Sequence, residues 1–117
     1  MAERILDGVW YPRGVLHSIR QRRRLADVRL VFDPTKDMVN RAKHGVSLAS
    51  AEVLFGGPHV TMADDRFDYG EVRNVAFGLI NGRLFACVYA DREAGRRVIS
   101  LRKANRREVR RYGENLE

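Results

Sequence analysis

At Pro58 the hydropathy pattern of the chain changes period, and that change restricts what the polypeptide can build. Before it, apolar residues recur at helical spacing between capping residues. After it they alternate, at Val60 and Met62, at Val75, Phe77 and Leu79, along Leu84 to Ala90, and again from Val98 to Leu101. Helices followed by a run of strands describe an α+β domain, not a series of βαβ units. Asn81-Gly82 between two apolar runs is a hairpin signal, because both residues accept the positive φ of a tight type I′ turn. Leu84 to Ala90 is apolar on both parities, as expected for the centre of a sheet.

The domain opens at Asp27, where Val28, Leu30 and Phe32 have the alternation of a half-buried strand. Asp33 before Pro34 supplies an N-cap and a first helical residue, and Gly45 after His44 is a left-handed terminator, which brackets a helix of about three turns. Ser47 caps a second helix through Ala51, Val53, Leu54 and Phe55, and Gly56-Gly57-Pro58 ends it. Asn105 and Glu108 have capping-box spacing, with Val109 and Tyr112 giving the last helix a modest apolar side. The predicted order is β-α-α-β-β-β-β-α. Residues 1–26 differ in composition: Gly8, Pro12 and Gly14 break the first half, and Arg20, Arg22, Arg23 and Arg24 crowd the second. They read as an extension to a single domain over 27–117, flexible or helical only on binding a partner.

The 117-residue chain has a formal net charge of +7 and a pI near 10.3. The excess sits between Arg13 and Arg24 and between Arg92 and Arg111. Such asymmetry points to a polyanion, held by a strongly salt-dependent interaction if it is RNA or DNA, although an acidic protein surface satisfies the same charge. Cys87 is the only cysteine, which rules out an intrachain disulfide, and no Cys/His set has zinc-ligand spacing. A reducing cytoplasm fits this usage, and Cys87 inside an apolar run reads as a small buried thiol, not a nucleophile. No apolar stretch has membrane-span length and the N-terminus lacks a signal-peptide core, so no membrane association is expected.

Three groups of polar residues carry candidate chemistry. The first is Lys43-His44 at the end of the first helix, where the dipole favours a charged imidazole and a simple capping role, while the pKa of histidine also suits proton transfer. The second is Glu71 with Arg73, two apart and on one face of the strand that follows: either a plain ion pair or a proton acceptor beside a phosphate-orienting guanidinium. The third is Arg92, Arg97 and Arg102 with Ser100, where an apolar strand ends in a basic elbow, Arg102-Lys103-Ala104-Asn105-Arg106-Arg107, fit to hold a phosphodiester. Ser100 and Arg102 share a sheet face by parity; Arg97 falls on the opposite face unless the strand bulges. Pairing with neighbouring acids is the plain alternative for these arginines. RNA cleavage without a metal needs a base for the 2′-hydroxyl, cations for the phosphorane and an acid for the leaving oxygen, which such groups supply.

Phe32-Asp33-Pro34-x-Lys36, Asn40-x-x-Lys43-His44-Gly45-Val46, Gly70-Glu71-x-Arg73, Arg92, Arg97-Val98-Ile99-Ser100-x-Arg102-Lys103-Ala104, Arg107-Glu108 and Tyr112 follow one another in an order that closely resembles the BrnT toxins of bacterial type II toxin-antitoxin systems. The resemblance runs from about Val28 to Tyr112. It implies a RelE-like fold: a mostly antiparallel sheet of four to five strands, two N-terminal helices packed on it and a basic C-terminal helix. It also implies metal-independent cleavage of mRNA that arrests growth, neutralisation by a BrnA-like antitoxin, and contact with operator DNA only through that antitoxin. No cofactor is expected.

Carried onto this chain, the catalytic candidates are His44, Glu71, Arg73, Arg97, Ser100 and Arg102, and the RNA-binding candidates are Lys43, Arg92, Lys103 and Arg106. Glu71 or His44 would deprotonate the 2′-hydroxyl, with Arg73, Arg97 and Arg102 on the phosphorane, Ser100 on a phosphate oxygen, and a 2′,3′-cyclic phosphate as product. Two positions depart from the family pattern: Phe67 stands where relatives often place a histidine, and Gly57 where they often place an aspartate. Phe67 motivates the rival expectation, a binding module that docks an acidic antitoxin and has lost catalysis. Direct DNA binding is the weaker third reading, since no helix-turn-helix or zinc motif is visible.

Overall fold

The computed structural model of the chain describes residues 3–6, 9–12, 29–65 and 70–116. Glu3–Leu6 (β1) and Val9–Pro12 (β2) pair antiparallel. This segment, read from composition as flexible or helical, therefore contains an antiparallel strand pair; the apolar residues Ile5-Leu6 and Val9-Trp10 on either side of Asp7-Gly8 are the sequence signal for it. The remainder of the 1–26 segment lies outside the described residues, as do Val28 and Phe67.

The next elements are Leu30–Val31 (β3), Pro34–His44 (α1), a 3-10 turn Leu48–Ser50 that runs into Ala51–Gly56 (α2), His59–Ala63 (β4), Asn74–Ile80 (β5), Arg83–Arg92 (β6), Gly95–Lys103 (β7), Arg106–Tyr112 (α3) and a final 3-10 turn, Gly113–Leu116. Strands β3 to β7 form a mixed five-stranded sheet in the order β3-β7-β6-β5-β4. Only the β3–β7 pair is parallel. The fold is thus α+β, with three α-helices among the described residues around the mixed five-stranded sheet. No helix among the described residues is long and apolar enough to cross a membrane.

Local chemistry sets these boundaries. Asp33 accepts from the Thr35 amide at 3.0 Å to open α1, and Gly45 closes it at φ 73°. Ser47 caps the 3-10 turn and not an α-helix, accepting from the Ala49 amide at 3.1 Å, so regular α geometry begins only at Ala51. Asn81 and Gly82 take φ of 51° and 77°, the type I′ turn joining β5 to β6. Asn105 and Glu108 form the complete capping box. The first core strand is shorter than its alternation suggests, two residues, and it depends on Gly95: a Cβ there would stand 2.5 Å from the Arg29 carbonyl oxygen.

The sheet separates two apolar layers. On one face Leu48, Ala51, Leu54 and Phe55 pack on Ala76, Cys87, Tyr89, Val98 and Leu101. On the other, Val60, Phe77, Leu84 and Ala86 pack with Ala104 and Leu116, and Tyr112 stacks on Phe77. Two buried polar residues of α1 lock the first layer. Asp37 accepts from the Ser47 hydroxyl and the Leu48 amide, at 2.9 and 2.6 Å. Asn40 donates to the Val46 and Leu101 carbonyls, both at 2.9 Å, and accepts from the Leu101 amide at 3.1 Å.

Asn40→Ala leaves those three backbone groups unpaired in the interior, and is expected to lower the unfolding free energy by about 2–3 kcal/mol without altering the denaturant m-value. An unchanged urea midpoint would show that the Asn40 pin contributes nothing. Burial pushes the Cys87 thiol up to about 12. Alkylation of the native protein at pH 8 is therefore expected to follow the rate of unfolding, and to become immediate in denaturant.

Candidate active site

The second sheet face is only partly covered by α3, and its open part is where the polar candidates collect. Val88 of β6 faces Ser100 of β7 while Tyr89 faces Val98, so Ile99 is the extra residue of a β-bulge. The bulge resets the parity. Arg97 is opposite Ala90, Ser100 opposite Val88 and Arg102 opposite Ala86, which puts all three on the same face. An unbroken strand would send Arg97 to the helix-covered side. Glu71 and Arg73, just before β5, and Arg92, at the end of β6, reach the same face.

Glu71 gathers three guanidinium groups there. Its Oε1 accepts from Arg97 Nη2 at 2.5 Å and from Arg73 Nε at 3.3 Å, and its Oε2 accepts from Arg92 Nη2. The hydrogen bond from Arg92 foremost, with Arg97 and Arg73 adding and desolvation opposing, holds the Glu71 carboxyl below its ordinary value. The side chains of Glu71, Arg73 and Arg97 remain 21, 22 and 24% exposed, so the cluster is accessible. Among the described residues, Arg97 Nε is buried and makes no hydrogen bond. A buried donor left over beside a guanidinium cluster suits an anionic acceptor.

Arg102 belongs to a second group. Its Nη1 and Nη2 donate to the two carboxylate oxygens of Glu108 at 2.8 and 2.9 Å, a bidentate fork that ties β7 to α3. The arginine read as a free phosphate ligand is therefore already paired, by the acid that also completes the capping box. Four strand steps, roughly 13 Å, separate Arg97 from Arg102 along the bulged strand. Between them runs a half-buried row, Met62, Val75, Val88 and Ser100, each the register partner of the next.

Lys43 and His44 stand at the C-terminus of α1, which packs through Asn40 on the opposite face of the sheet. The dipole argument gave His44 a favoured charged form. Instead, burial first, then the charges of Lys43 and Arg102, lower its pKa below 6.5. The influence of Arg102 places His44 within the field of the second group. Lys103 and Arg106 are exposed at the end of β7 and the start of α3, outside both clusters. Among the described residues no three His, Cys, Asp or Glu side chains form a metal-binding group.

Sequence reasoning passed over Glu108 as a partner of Arg102, because capping-box spacing already accounted for it. It also passed over Asp64, which is buried with its amide donating to the Arg73 carbonyl at 2.8 Å. The period-two pattern of Val60 and Met62, continued by two, puts Asp64 on this face.

Since the folded pKa of Glu71 lies below the unfolded carboxylate value near 4.5, its ion pairs contribute stability that is complete above that pH and is lost as the pH falls through the folded value. Glu71→Gln is accordingly expected to flatten the fall of Tm between neutral pH and pH 3, and in high salt to resemble the parent more closely. Identical pH profiles for the two proteins would remove Glu71 as the counterion of the cluster.

Comparison with curated proteins finds no match to this chain. A family described as ribonuclease toxin, BrnT, of type II toxin-antitoxin system matches residues 32–108, more than half of the 117-residue sequence. The matched span begins ahead of α1, ends at Glu108 and holds the bulged strand, the three arginines on Glu71 and the Arg102 fork, so the chain belongs to the BrnT family of ribonuclease toxins of type II toxin-antitoxin systems.

Proposed function

We propose that this protein is an endoribonuclease that cuts RNA by attack of the 2′-hydroxyl on the adjacent phosphate, halting translation and growth until a BrnA-like antitoxin neutralises it. A protein antitoxin is what type II membership entails; its BrnA-like character, the RNA substrate, contact with operator DNA only through the antitoxin, and the cytoplasm as the site of action belong to this proposal. So does a RelE-like assignment of the fold, which the succession of one strand, two helices, four strands and a basic helix supports. The observation that carries the reading is the set of three guanidinium groups on Glu71, sharing a sheet face with Ser100 and Arg102 and leaving Arg97 Nε without an acceptor among the described residues.

Phosphate oxygens compete with Glu71 for Arg73, Arg92 and Arg97, and gain the planar, charge-assisted contacts that stabilise a phosphorane. Ser100 donates to one oxygen and Arg102 adds charge from the other end of the row. His44 is the better base: with its pKa lowered it is neutral near pH 7 and has a lone pair to receive the 2′-hydroxyl proton. Glu71, held ionised by its partners, is a weak base and acts as the organiser of the arginines. The 2′-oxygen bonds to phosphorus, the bond to the 5′-oxygen breaks, and the leaving oxygen takes a proton from water, giving a 2′,3′-cyclic phosphate. Lys43, Lys103 and Arg106 add a salt-dependent grip on the flanking backbone.

The binding-module reading is favoured by one observation, that carboxylates already occupy the guanidinium groups of both clusters in the free chain. Expression without antitoxin separates the two, because an inert binder leaves growth unaffected.

With purified protein and a defined RNA, His44→Ala is expected to lower the cleavage rate about 10²-fold or more, and Arg97→Ala by a similar factor through lost electrostatic stabilisation, about 10²–10³-fold. The parent's rate should fall as the pH drops through a value below 6.5, a limb that His44→Ala lacks. Cleavage by His44→Ala at the parental rate would remove histidine as the base, and undiminished cleavage by Arg97→Ala would remove the cluster.

A further inference from the structure

Helix α1 is built inside out. Neither apolar layer of the core contains one of its residues, and it is held to the rest of the protein by Asp37 and Asn40, both buried and hydrogen-bonded. Its larger apolar side chains face the other way, Met38 70% and Val39 60% exposed. At about 100° per residue, Thr35, Met38, Val39 and Ala42 fall in one arc opposite Asp37 and Asn40, and all four are exposed. Exposed Lys36 and Lys43 border that arc on one side and Arg41 on the other. Arg41 Nε pairs with Asp37 at 3.3 Å, yet its side chain remains 65% exposed. A surface helix ordinarily turns its apolar stripe to the core. With polar residues fastening this one, the stripe is left outside between two basic rims, the pattern of a surface that meets another molecule.

The chemistry of the stripe selects among occupants. A nucleic-acid backbone gains nothing from a row of methyl groups. A helix that beds in a lipid surface carries leucine or aromatic residues along its apolar side, and α1 has neither. A second copy of the chain, laid stripe to stripe, would bring Lys36, Arg41 and Lys43 against cations like themselves. A helix whose own short apolar stripe runs between two rows of carboxylates meets every demand, apolar groups on Met38, Val39 and Ala42 and acids on both rims. With 11 residues, α1 is about 16 Å long and accommodates roughly three turns of such a partner.

We infer that the outer stripe of α1 is the docking surface for an acidic amphipathic helix of the antitoxin that type II membership entails. The inference rests on the BrnA-like antitoxin proposed as partner and not on RNA cleavage. Lys43, which the RNA-cleaving reading assigns to the substrate, lies on one rim, so an occupant of the stripe takes one of the contacts of the RNA.

The probe is a synthetic peptide of about five helical turns, leucine at helical spacing with glutamate on both sides, titrated into the full chain and followed by backbone amide shifts. Micromolar binding is expected, with the largest shifts at Met38, Val39 and Ala42. Met38→Glu should weaken it about tenfold or more by setting acid against acid, while Val72→Glu, the same change at a 77% exposed position beside Glu71, should stay within about twofold of the parent. Both variants should keep the parental Tm, since substitutions at exposed positions change stability little. On co-expression with a BrnA-like antitoxin, the parent and Val72→Glu should retain it through purification and Met38→Glu should lose it. Shifts centred on the arginines around Glu71 or on α3, or equal peptide affinity in all three proteins, would overturn the surface. Retention by Met38→Glu, or loss by the parent, would overturn the antitoxin as its occupant. Dimers of the parent, or its adsorption to phosphatidylserine vesicles, that Met38→Glu abolishes would give the stripe to a second copy or to a membrane instead. A chain that binds the peptide through the stripe but cuts no RNA keeps the surface and removes the nuclease; one that cuts RNA and ignores the peptide does the reverse.

Discussion

The extra residue in β7 is the constraint on which the arrangement of charge depends. A strand alternates its side chains strictly, so one inserted residue transfers everything beyond it to the other face. With Ile99 left unpaired between Val98 and Ser100, Leu101 and Val98 both turn to the helices while Arg97, Ser100 and Arg102 all turn to the open side. A regular strand cannot satisfy both demands, because Val98 and Leu101 are three apart. The bulge lets β7 bury its apolar residues on one side and display its polar ones on the other.

A face carrying so many guanidinium groups is self-repelling unless anions are built into it. Glu71 and Glu108 are two such anions, at opposite ends of the row. Glu71 neutralises part of the Arg73, Arg92 and Arg97 cluster, and Glu108 takes both Nη atoms of Arg102 while capping α3. Exposed ion pairs contribute little to stability individually, and these are partly exposed. Their effect is geometric. A guanidinium held by a carboxylate keeps its planar fork in a defined plane, so the donors of this face are already ordered.

Much of the fold was legible because the signals were local. Asp33 with Pro34, Gly45, Asn81 with Gly82, and Asn105 with Glu108 each mark a boundary through hydrogen bonds or φ values confined to a few residues. The α+β class followed from the change of period at Pro58. The candidate site was legible in its members and only conditionally in its geometry: parity excluded Arg97 from the face of Ser100 unless a bulge intervened, and bulges have no compact sequence mark. The Arg102–Glu108 fork and the lowered pKa of His44 were hidden because both depend on how α1, β7 and α3 come together. The pairing of β1 with β2 was hidden for another reason, since the glycines and arginines of the whole segment outweighed one Asp-Gly pair.

Arg96 and Arg97 show how completely the pleat decides the role of a side chain. They are adjacent and identical in chemistry, and they face opposite ways. Arg96 turns to the helix-covered side, where it is 3% exposed, and it survives there because Asp91 takes Nε at 2.7 Å and Nη2 at 3.1 Å while the rings of Tyr89 and Phe55 lie 4.2 and 4.9 Å from its guanidinium carbon. Desolvating a cation is costly, and only a bidentate acid together with two aromatic faces offsets it. Arg97 has one carboxylate shared three ways and one nitrogen with nothing to bond among the described residues. The first environment is complete and serves the core; the second has donor capacity left over, and it is on that side of the sheet that an anion has something to bind.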